Sequence, residues 1–376
     1  MKDNGAAVAA KPEKDWVNIL FLTLTPVVGI AGTALYTLKA GFSWWMLGLL
    51  TGMYLLVGMS ICAGYHRFFS HKSYEAHPMV QAFFAFFGAM AAQNSILWWS
   101  SSHRVHHKYV DQDWDPYNIR RGFWWAHIFW IFYRNPNAGN FENARDLEKN
   151  PIVMWQHRWH KWILIGAGFG IPTAIGAMFG DPIAGLLWGG FTRLVVIHHT
   201  TFFVNSLAHV WGRSSYSFEQ SARDNWAVAL LTLGEGYHSY HHRFPADFRN
   251  GILWFQWDPA KWFIQALRGV GLAKELKTTP APLVEQARME AEMRRLSEKI
   301  ALSHETSYGD EIARRLAAAR QSLERALVLW RAQRSGKVVS MRRARLARKT
   351  ARRYVRAARR EWRTALQMLE RLPNAA

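Results

Sequence analysis

Four long apolar runs, set in two close pairs, limit what this chain can fold into. Trp16 to Leu38 and Phe42 to Cys62 each hold roughly 20 residues without a formal charge, the length that crosses a bilayer's hydrocarbon core as a helix. Trp162 to Phe179 and Ile183 to Val204 repeat the arrangement, separated only by Gly180, Asp181 and Pro182, and the last run carries Arg193. In lipid the backbone must satisfy its own hydrogen bonds, so such runs are expected to be helices. Each pair reads as a hairpin, and the chain enters and leaves both on one side. Lys2, Lys11 and Lys14 precede the first run, whereas the opposite turns hold only Lys39 and Asp181, which marks the entry side as cytoplasmic. Gly166 with Gly170 and Gly185 with Gly189 are small-x-x-x-small pairs suited to close helix packing. The polar start followed by long paired runs does not resemble a cleavable signal, so the first span is expected to be retained.

Three histidine clusters lie just outside these runs: His66 with His71, His103 with His106 and His107, and His238 with His241 and His242. The last two share the pattern H-x-x-H-H, which on a helix gathers its histidines on one face. A single ion takes about three to six protein ligands. Eight clustered histidines therefore point to two metals bridging distant segments, on the side where the hairpins open. Met79 to Trp99 is a further apolar run, but crossing there would separate His66 from His103. It is expected to be an interfacial or buried helix of a cytoplasmic cap.

The net charge of +20 is uneven. Residues 281 to 376 contain 23 Lys+Arg and 10 Asp+Glu, which accounts for +13 of it. Ile312, Leu316, Ala319, Leu323, Leu327 and Trp330 recur there every three or four positions, an amphipathic helix. Ser335 and Gly336 are placed to close a helical hairpin whose second arm carries the basic run from Arg342 to Arg360. The division expected is a membrane domain with its cap over 1–279 and a basic helical extension over 280–376. That extension is a solvated appendage or a surface for anionic lipid; without interleaved base-stacking aromatics, nucleic acid is not the expected partner. Cys62 is the only cysteine, which excludes a disulfide or a four-cysteine iron–sulfur cluster within the chain.

The sequences H-R-F-F-S-H at 66–71, H-R-V-H-H-K at 103–108 and G-E-G-Y-H-S-Y-H-H at 234–242 resemble the histidine boxes of integral-membrane fatty acyl desaturases of the acyl-CoA delta-9 (stearoyl-CoA desaturase-like) type. Arg120-Arg121-Gly122-Phe123, Asn205-Ser206-Leu207-Ala208-His209 and Trp257-Asp258-Pro259 extend the likeness, which runs from about residue 16 to 277. It implies an all-α integral membrane protein with four transmembrane helices in two hairpins, a helical cytoplasmic cap and a diiron site facing the cytoplasm, in the inner membrane if the source is bacterial. One iron would take His66, His71, His103, His107 and His242. The other would take His106, His209, His238 and His241, with Asn205 reaching it through water. Imidazoles are neutral borderline ligands, and their second nitrogens need fixing; Glu235, Asp111, Asp113, Asp115 and Asp224 are the candidates.

The reaction implied is oxygen-dependent insertion of a cis double bond into a saturated acyl chain, with two external electrons. Because methylenes are chemically alike, position must be set by an apolar tunnel, for which Trp98, Trp99 and Phe202 are candidate walls. Asn94, Trp99, Arg120, Arg121 and Arg134 are the candidate substrate contacts. Ser101 and Ser102 stand where acyl-CoA enzymes of this type carry an arginine-aspartate pair, and Arg134-Asn135 where they carry arginine-lysine, so an acyl-lipid or carrier-protein thioester remains an alternative to long-chain acyl-CoA. A fatty acyl or alkane hydroxylase is a second alternative and a membrane metal transporter the non-enzyme one. A separate ferredoxin, rubredoxin or cytochrome, with its NAD(P)H reductase, is the expected electron source. His77, His127, His157, His160 and His304 are read as packing or hydrogen-bonding residues, and His198 with His199 as supports inside the fourth run.

Overall fold

The computed structural model describes residues 13–135, 139–301, 309–334 and 341–370. Lys2, Lys11, His304, Ser335 and Gly336 fall outside them. The described chain is almost entirely helical; its one sheet pairs Glu75–Ala76 with Ala273–Lys274, antiparallel.

Three helices are long and apolar enough to cross a membrane: α1 (Trp16–Ala40), α2 (Trp44–Ser70) and α5 (Pro151–Met178). The turns between elements carry the expected caps. Asp15 accepts from Asn18 N at 3.1 Å to start α1, and Gly41, at φ 91°, ends it. Asn150 with Pro151 opens α5, eleven residues before the apolar run at Trp162, so its first turns belong to the cap. Four runs were anticipated, and the fourth forms one unbroken helix, α6, over 182–205. Arg193, His198 and His199 lower its hydropathy, which leaves three helices that qualify by composition.

Within α6 only the first two residues, Pro182 and Ile183, are exposed. Arg193 is fully enclosed and has no carboxylate partner among the described residues; its guanidinium instead donates to the carbonyls of Gly189, at 3.1 Å, Gly168, at 2.9 Å, and Met90. Of the predicted glycine pairs, Gly185 and Gly189 do sit at close approaches: a Cβ on Gly185 would meet Gly176, and one on Gly189 would come within 2.5 Å of Pro172. Gly166 and Gly170 face open space, a correction with a simple cause. Gly176, not they, lies at the crossing of α5 and α6.

Met79 to Trp99, expected to be a single interfacial or buried helix, divides instead between two short helices. The apolar part is α3 (Pro78–Ala89), opened by His77 and Pro78, and α4 (Ile96–Tyr109) follows Ser95, whose hydroxyl accepts from Trp98 N at 3.3 Å. α3 lies against α2 at glycines: a Cβ on Gly64 would come 2.6 Å from Phe84, and one on Gly88 would overlap the Tyr65 ring. Shorter helices complete the cap, including α7 (Leu207–Val210), α8 (His238–Arg243) and α9 (Pro259–Gly269). Beyond them run α10 (Ala281–Ala301), α11 (Gly309–Arg334) and α12 (Met341–Glu370). α11 and α12 lie side by side with Ala319, Leu323, Ala326, Ala351, Val355 and Trp362 buried between them. The start of α10 packs on the cap, where Val284 and Ala287 join Tyr216 and Tyr240.

Candidate metal centre

His66 and His71 are five residues apart, a spacing that on an α-helix turns side chains about 140° away from each other. Residues 60–70 are instead wound as π-helix, and His71 N–H donates to His66 O at 3.2 Å. The wider turn brings both rings to one side with centroids 5.0 Å apart. Such insertions concentrate at functional sites.

α4 and α8 each present an H-x-x-H-H set, and helical phase divides both sets. On an α-helix the fifth residue lies only about 40° from the first, whereas the fourth lies about 60° off on the other side. Positions one and five therefore stay together and position four points elsewhere. His103 and His107 of α4 join His66, His71 and His241, while His238 and His242 of α8 join His106 and His209. The resemblance had assigned His242 to the first group and His241 to the second; the structure exchanges them, as the phase requires.

Both groups converge through Nε2. His66 Nε2 lies 2.8 Å from His241 Nε2, which lies 3.0 Å from His107 Nε2, and His71 Nε2 lies 2.8 Å from His103 Nε2. In the second group His242 Nε2 lies 3.2 Å from His106 Nε2 and 2.9 Å from His238 Nε2. Two nitrogens bound at right angles about 2.1 Å from one ion would be separated by about 3.0 Å, so these spacings fit octahedral edges. His209 Nε2 is buried without a hydrogen-bond partner, as a ligand nitrogen would be. The groups touch: the His107 and His242 rings stack at 4.3 Å.

Burial, with neighbouring imidazoles adding to it, pushes His71, His103, His107, His238, His241 and His242 well below the ordinary histidine range. At neutral pH they are the uncharged bases that bind metal. Glu235 accepts from His66 Nδ1 at 2.8 Å, and Asp115 from His106 Nδ1 at 2.8 Å. Asp111 acts one step removed: it accepts from Ser221, which partners His209 Nδ1 at 2.7 Å. Tyr117 OH lies 3.3 Å from His103 Nδ1. Asp224 accepts from Tyr240 N and steadies α8 instead of a ring, and Asp113 is exposed on the cavity wall. Nor is every ring fixed through its second nitrogen. The Nδ1 atoms of His241 and His242 are buried without partners, so packing orients them.

Glu235 is itself built in. Burial alone would raise its carboxyl, but the Arg67 guanidinium and His66 hold it at about 2. Arg67 bridges it to Asp258, which caps α9 through Lys261 N. Sequence reading found neither Arg67 nor Ser221 nor Tyr117; only Arg67 carried a signal, lying inside the first box.

A cavity of about 1310 Å³ runs beside the first group. That exceeds the roughly 300–1,000 Å³ of ordinary small-molecule pockets. Its wall includes His66 and His103, apolar side chains of the long helices such as Phe21, Leu22, Ile61 and Ile197, and all of Trp98, Trp99 and Phe202. Asn205 lines it too. Asn94, Arg121 and Arg134 are also on the wall, Arg121 lying 3.3 Å over the Trp125 ring and Arg134 pairing with Glu13 at 2.9 Å. Arg120 is exposed and off the wall, because the short turn at Ile119–Arg121 aims it outward. Ser101 is hydrogen-bonded to Asn143 at 2.7 Å.

The wall nearest Trp99 is a strained turn. Ala92 and Asn94 hold φ of 52° and 71°, uncommon for residues with a Cβ. Gln93, which sequence reading missed, donates to Thr201 at 2.9 Å and accepts from Trp99 Nε1 at 3.2 Å. Arg193 and His198 hold the same turn from α6, His198 through Ala91 O at 2.9 Å. His199 bonds His127, which also meets Ser206, and His157 bonds Ser95. None of these histidines joins either metal group, as anticipated.

Against known proteins, the fatty acid desaturase family model matches residues 42–269. Acyl-CoA desaturase 1 of Saccharomyces cerevisiae is 41% identical over 248 residues, covering 65% of this chain and 49% of that protein. The sn-2 palmitoyl-lipid 9-desaturase of Nostoc sp. (strain 36) is 34% identical over 290 residues, 74% of this chain and 98% of that one. Human stearoyl-CoA desaturase 5 is 36% identical over 242 residues, 62% and 72% respectively. The chain spans about half the length of the two yeast relatives it matches.

Proposed function

This chain belongs to the fatty acid desaturase family, and on that premise we propose that it inserts a cis double bond, at the delta-9 position, into a saturated long-chain acyl-CoA. The observation that carries this reading is the convergence of nine imidazole Nε2 atoms in two touching groups beside a cavity long enough for an acyl chain. The metal at each group is iron, and iron bound there would supply the oxygen-activating redox chemistry that removes two hydrogens from adjacent methylenes. With dioxygen as cosubstrate, two electrons and two protons balance the reaction to two waters.

The chain's own residues do the rest. Glu235 and Asp115 accept hydrogen bonds from His66 and His106 at Nδ1–H, which leaves the Nε2 lone pairs free for metal. His66, His103 and Trp99 form one stretch of cavity wall, so the methylenes lying there are those exposed to the metal centre. The turn at 92–94, tied by Gln93 to Thr201 and Trp99, fixes that wall; such rigid placement selects one bond among chemically equal ones. Asn205 is the further polar group assigned to the second metal, through water. Asn94, Arg121 and Arg134 receive the head group, with no part for the outward-facing Arg120.

The membrane arrangement that goes with this has α6 as a fourth span paired with α5, α1 paired with α2, and the metal centre on the cytoplasmic side, the inner membrane if the source is bacterial. Electrons come from a separate ferredoxin, rubredoxin or cytochrome with its NAD(P)H reductase. Residues to about 279 form the membrane core and cap, and 280–376 the extension, with the start of α10 serving as the joint.

An acyl group esterified in a lipid is the second reading, favoured by the match along 98% of a lipid 9-desaturase and by the pairing of Arg134 with Glu13. Fatty acid analysis of a host producing the chain, with and without oxygen, tests desaturation: no new monounsaturated acid in air sinks the reading. Purified chain given stearoyl-CoA or a stearoyl phospholipid, with a complete electron supply, separates the two substrates.

A further inference from the structure

The family match ends at residue 269, and the three helices beyond it form a surface that the metal centre does not use. α12 contains eleven Lys+Arg and two Glu. Its apolar side is consumed: Ala351, Val355, Ala358 and Trp362 are buried against α11 and Met289 of α10. The opposite side carries Arg345, Lys349, Arg352 and Arg356, spaced at four, seven and eleven residues so that they share one helix face, and these four line a shallow depression. All four are exposed, and among the described residues none pairs with an acid. Like charges this close repel, so the face lowers its energy by meeting a dense negative surface.

The hairpin is fastened behind the metal-bearing helix. Val284 and Ala287 of α10 pack on Tyr216 and Tyr240, and Tyr240 lies within α8 between His238 and His241. Arg288 donates to Tyr216 OH at 3.1 Å, Arg243 pairs with Glu290 at 3.3 Å, and Arg359 of α12 pairs with Glu285 of α10 at 2.6 Å. The hairpin that carries the basic face is thereby anchored to the helix of the third histidine set.

We propose that the exposed basic face of α12 is a docking surface for an acidic one-electron carrier protein. The proposal rests on the desaturase reading, since that reaction consumes two electrons per double bond, delivered singly by two reduced carriers that leave oxidised. A bilayer is the poorer occupant. Helices that lie in a lipid interface bury an apolar face there, whereas this helix spends its apolar face inside the hairpin, and Leu346 is the one large apolar side chain it exposes among the described residues. Opposite charge also suits a transient partner, because rim charges raise the association rate and specificity without holding the spent carrier for long.

The test compares full-length protein with the quadruple variant Arg345→Gln, Lys349→Gln, Arg352→Gln and Arg356→Gln, all exposed positions on a helix that glutamine preserves. Two acidic carriers serve as probes, a plant-type [2Fe–2S] ferredoxin and a b-type cytochrome, and calorimetry at low and high salt reads their binding independently of turnover. At least one should bind the wild type with a Kd that weakens with salt, and the variant should bind it about tenfold less well with a flatter salt dependence. In turnover, KM for the carrier should rise by the same factor while kcat at saturating carrier, and the yield of a single turnover in protein reduced anaerobically by dithionite through a small dye and then given oxygen, stay unchanged. Equal Kd values in the two proteins, failure of both carriers to bind the wild type, or a variant that loses only its binding to phosphatidylserine vesicles would each overturn the proposal. Absence of desaturation in both proteins with the dye would instead remove the desaturase reading, and the calorimetry would still decide the docking.

Discussion

Replacing Glu235 by glutamine changes almost no volume but inverts one hydrogen-bonding edge at the first metal group. Four donors meet this carboxylate: Arg67 Nε and Nη2 at 3.2 and 2.9 Å on Oε1, and His66 Nδ1 and Asn250 Nδ2 at 2.8 and 2.6 Å on Oε2. An amide has one acceptor oxygen and must turn its NH2 to one of the two pairs. Arg67 cannot give up a proton, so the oxygen stays with it and the NH2 faces His66. Asn250 can answer by rotating its amide, but His66 can accept at Nδ1 only by moving its proton to Nε2, the nitrogen aimed at the metal. Loss of an orienting partner of this kind typically weakens metal binding about 10–100-fold, or about 1.4–2.8 kcal/mol. Arg67 keeps Asp258 at 2.9 Å, so the cap should stay folded. The assay is iron per protein after equilibration with graded chelator. One of two irons should leave Glu235→Gln at about 10–100-fold lower chelator, and Asp115→Asn should reproduce this for the other iron through His106. Release curves of Glu235→Gln that superimpose on wild type would refute the reasoning. The same residue sets an acid limit. Its carboxyl is held at about 2 against an ordinary 4.5, so its contribution is present above pH 4.5 and lost as pH falls toward 2; it is worth about 3 kcal/mol at full ionisation. Acid unfolding of metal-free protein should show that loss in wild type and not in the glutamine variant.

Arg193→Met should leave three carbonyls unsatisfied, at about 1–3 kcal/mol each where nothing replaces the donor, lower the melting temperature in detergent, and spread the double bond over neighbouring positions as the 90–95 turn loosens; Arg193→Lys should recover part of both, and an unchanged product distribution in Arg193→Met would deny the turn its positioning role. Gly88→Ala should cost about 1–3 kcal/mol by overpacking against Tyr65, measurable in the same melts. His242→Ala should lose the metal of the second group while His160→Ala, whose ring bonds His157 O, keeps both, as elemental analysis would report.

Residue chemistry and local spacing were enough to read the long helices, the eight clustered histidines, the two-metal count they imply and the supporting place of His198 and His199, while the ninth histidine, His209, came only with the family resemblance. These are consequences of short-range facts: an uncharged run of given length has one way to live in lipid, and imidazoles at helical spacing share a face. The tail's amphipathic period was legible for the same reason. Three things were decided only by packing. The π-wound stretch at 60–70 brings His66 beside His71, and no local preference in H-R-F-F-S-H announces it; α2 meets α3 through Gly64 and Gly88 in this same region. Which histidine serves which group depends on the rotational phase of α4 and α8 as they are set against each other, so His241 and His242 traded places. Which acids meet the rings is the third: of the five candidates Glu235 and Asp115 do so directly and Asp111 through Ser221, and Tyr117 joins them at His103. Ligand identity is a property of the side chain, but the direction in which a ligand points is a property of the whole fold.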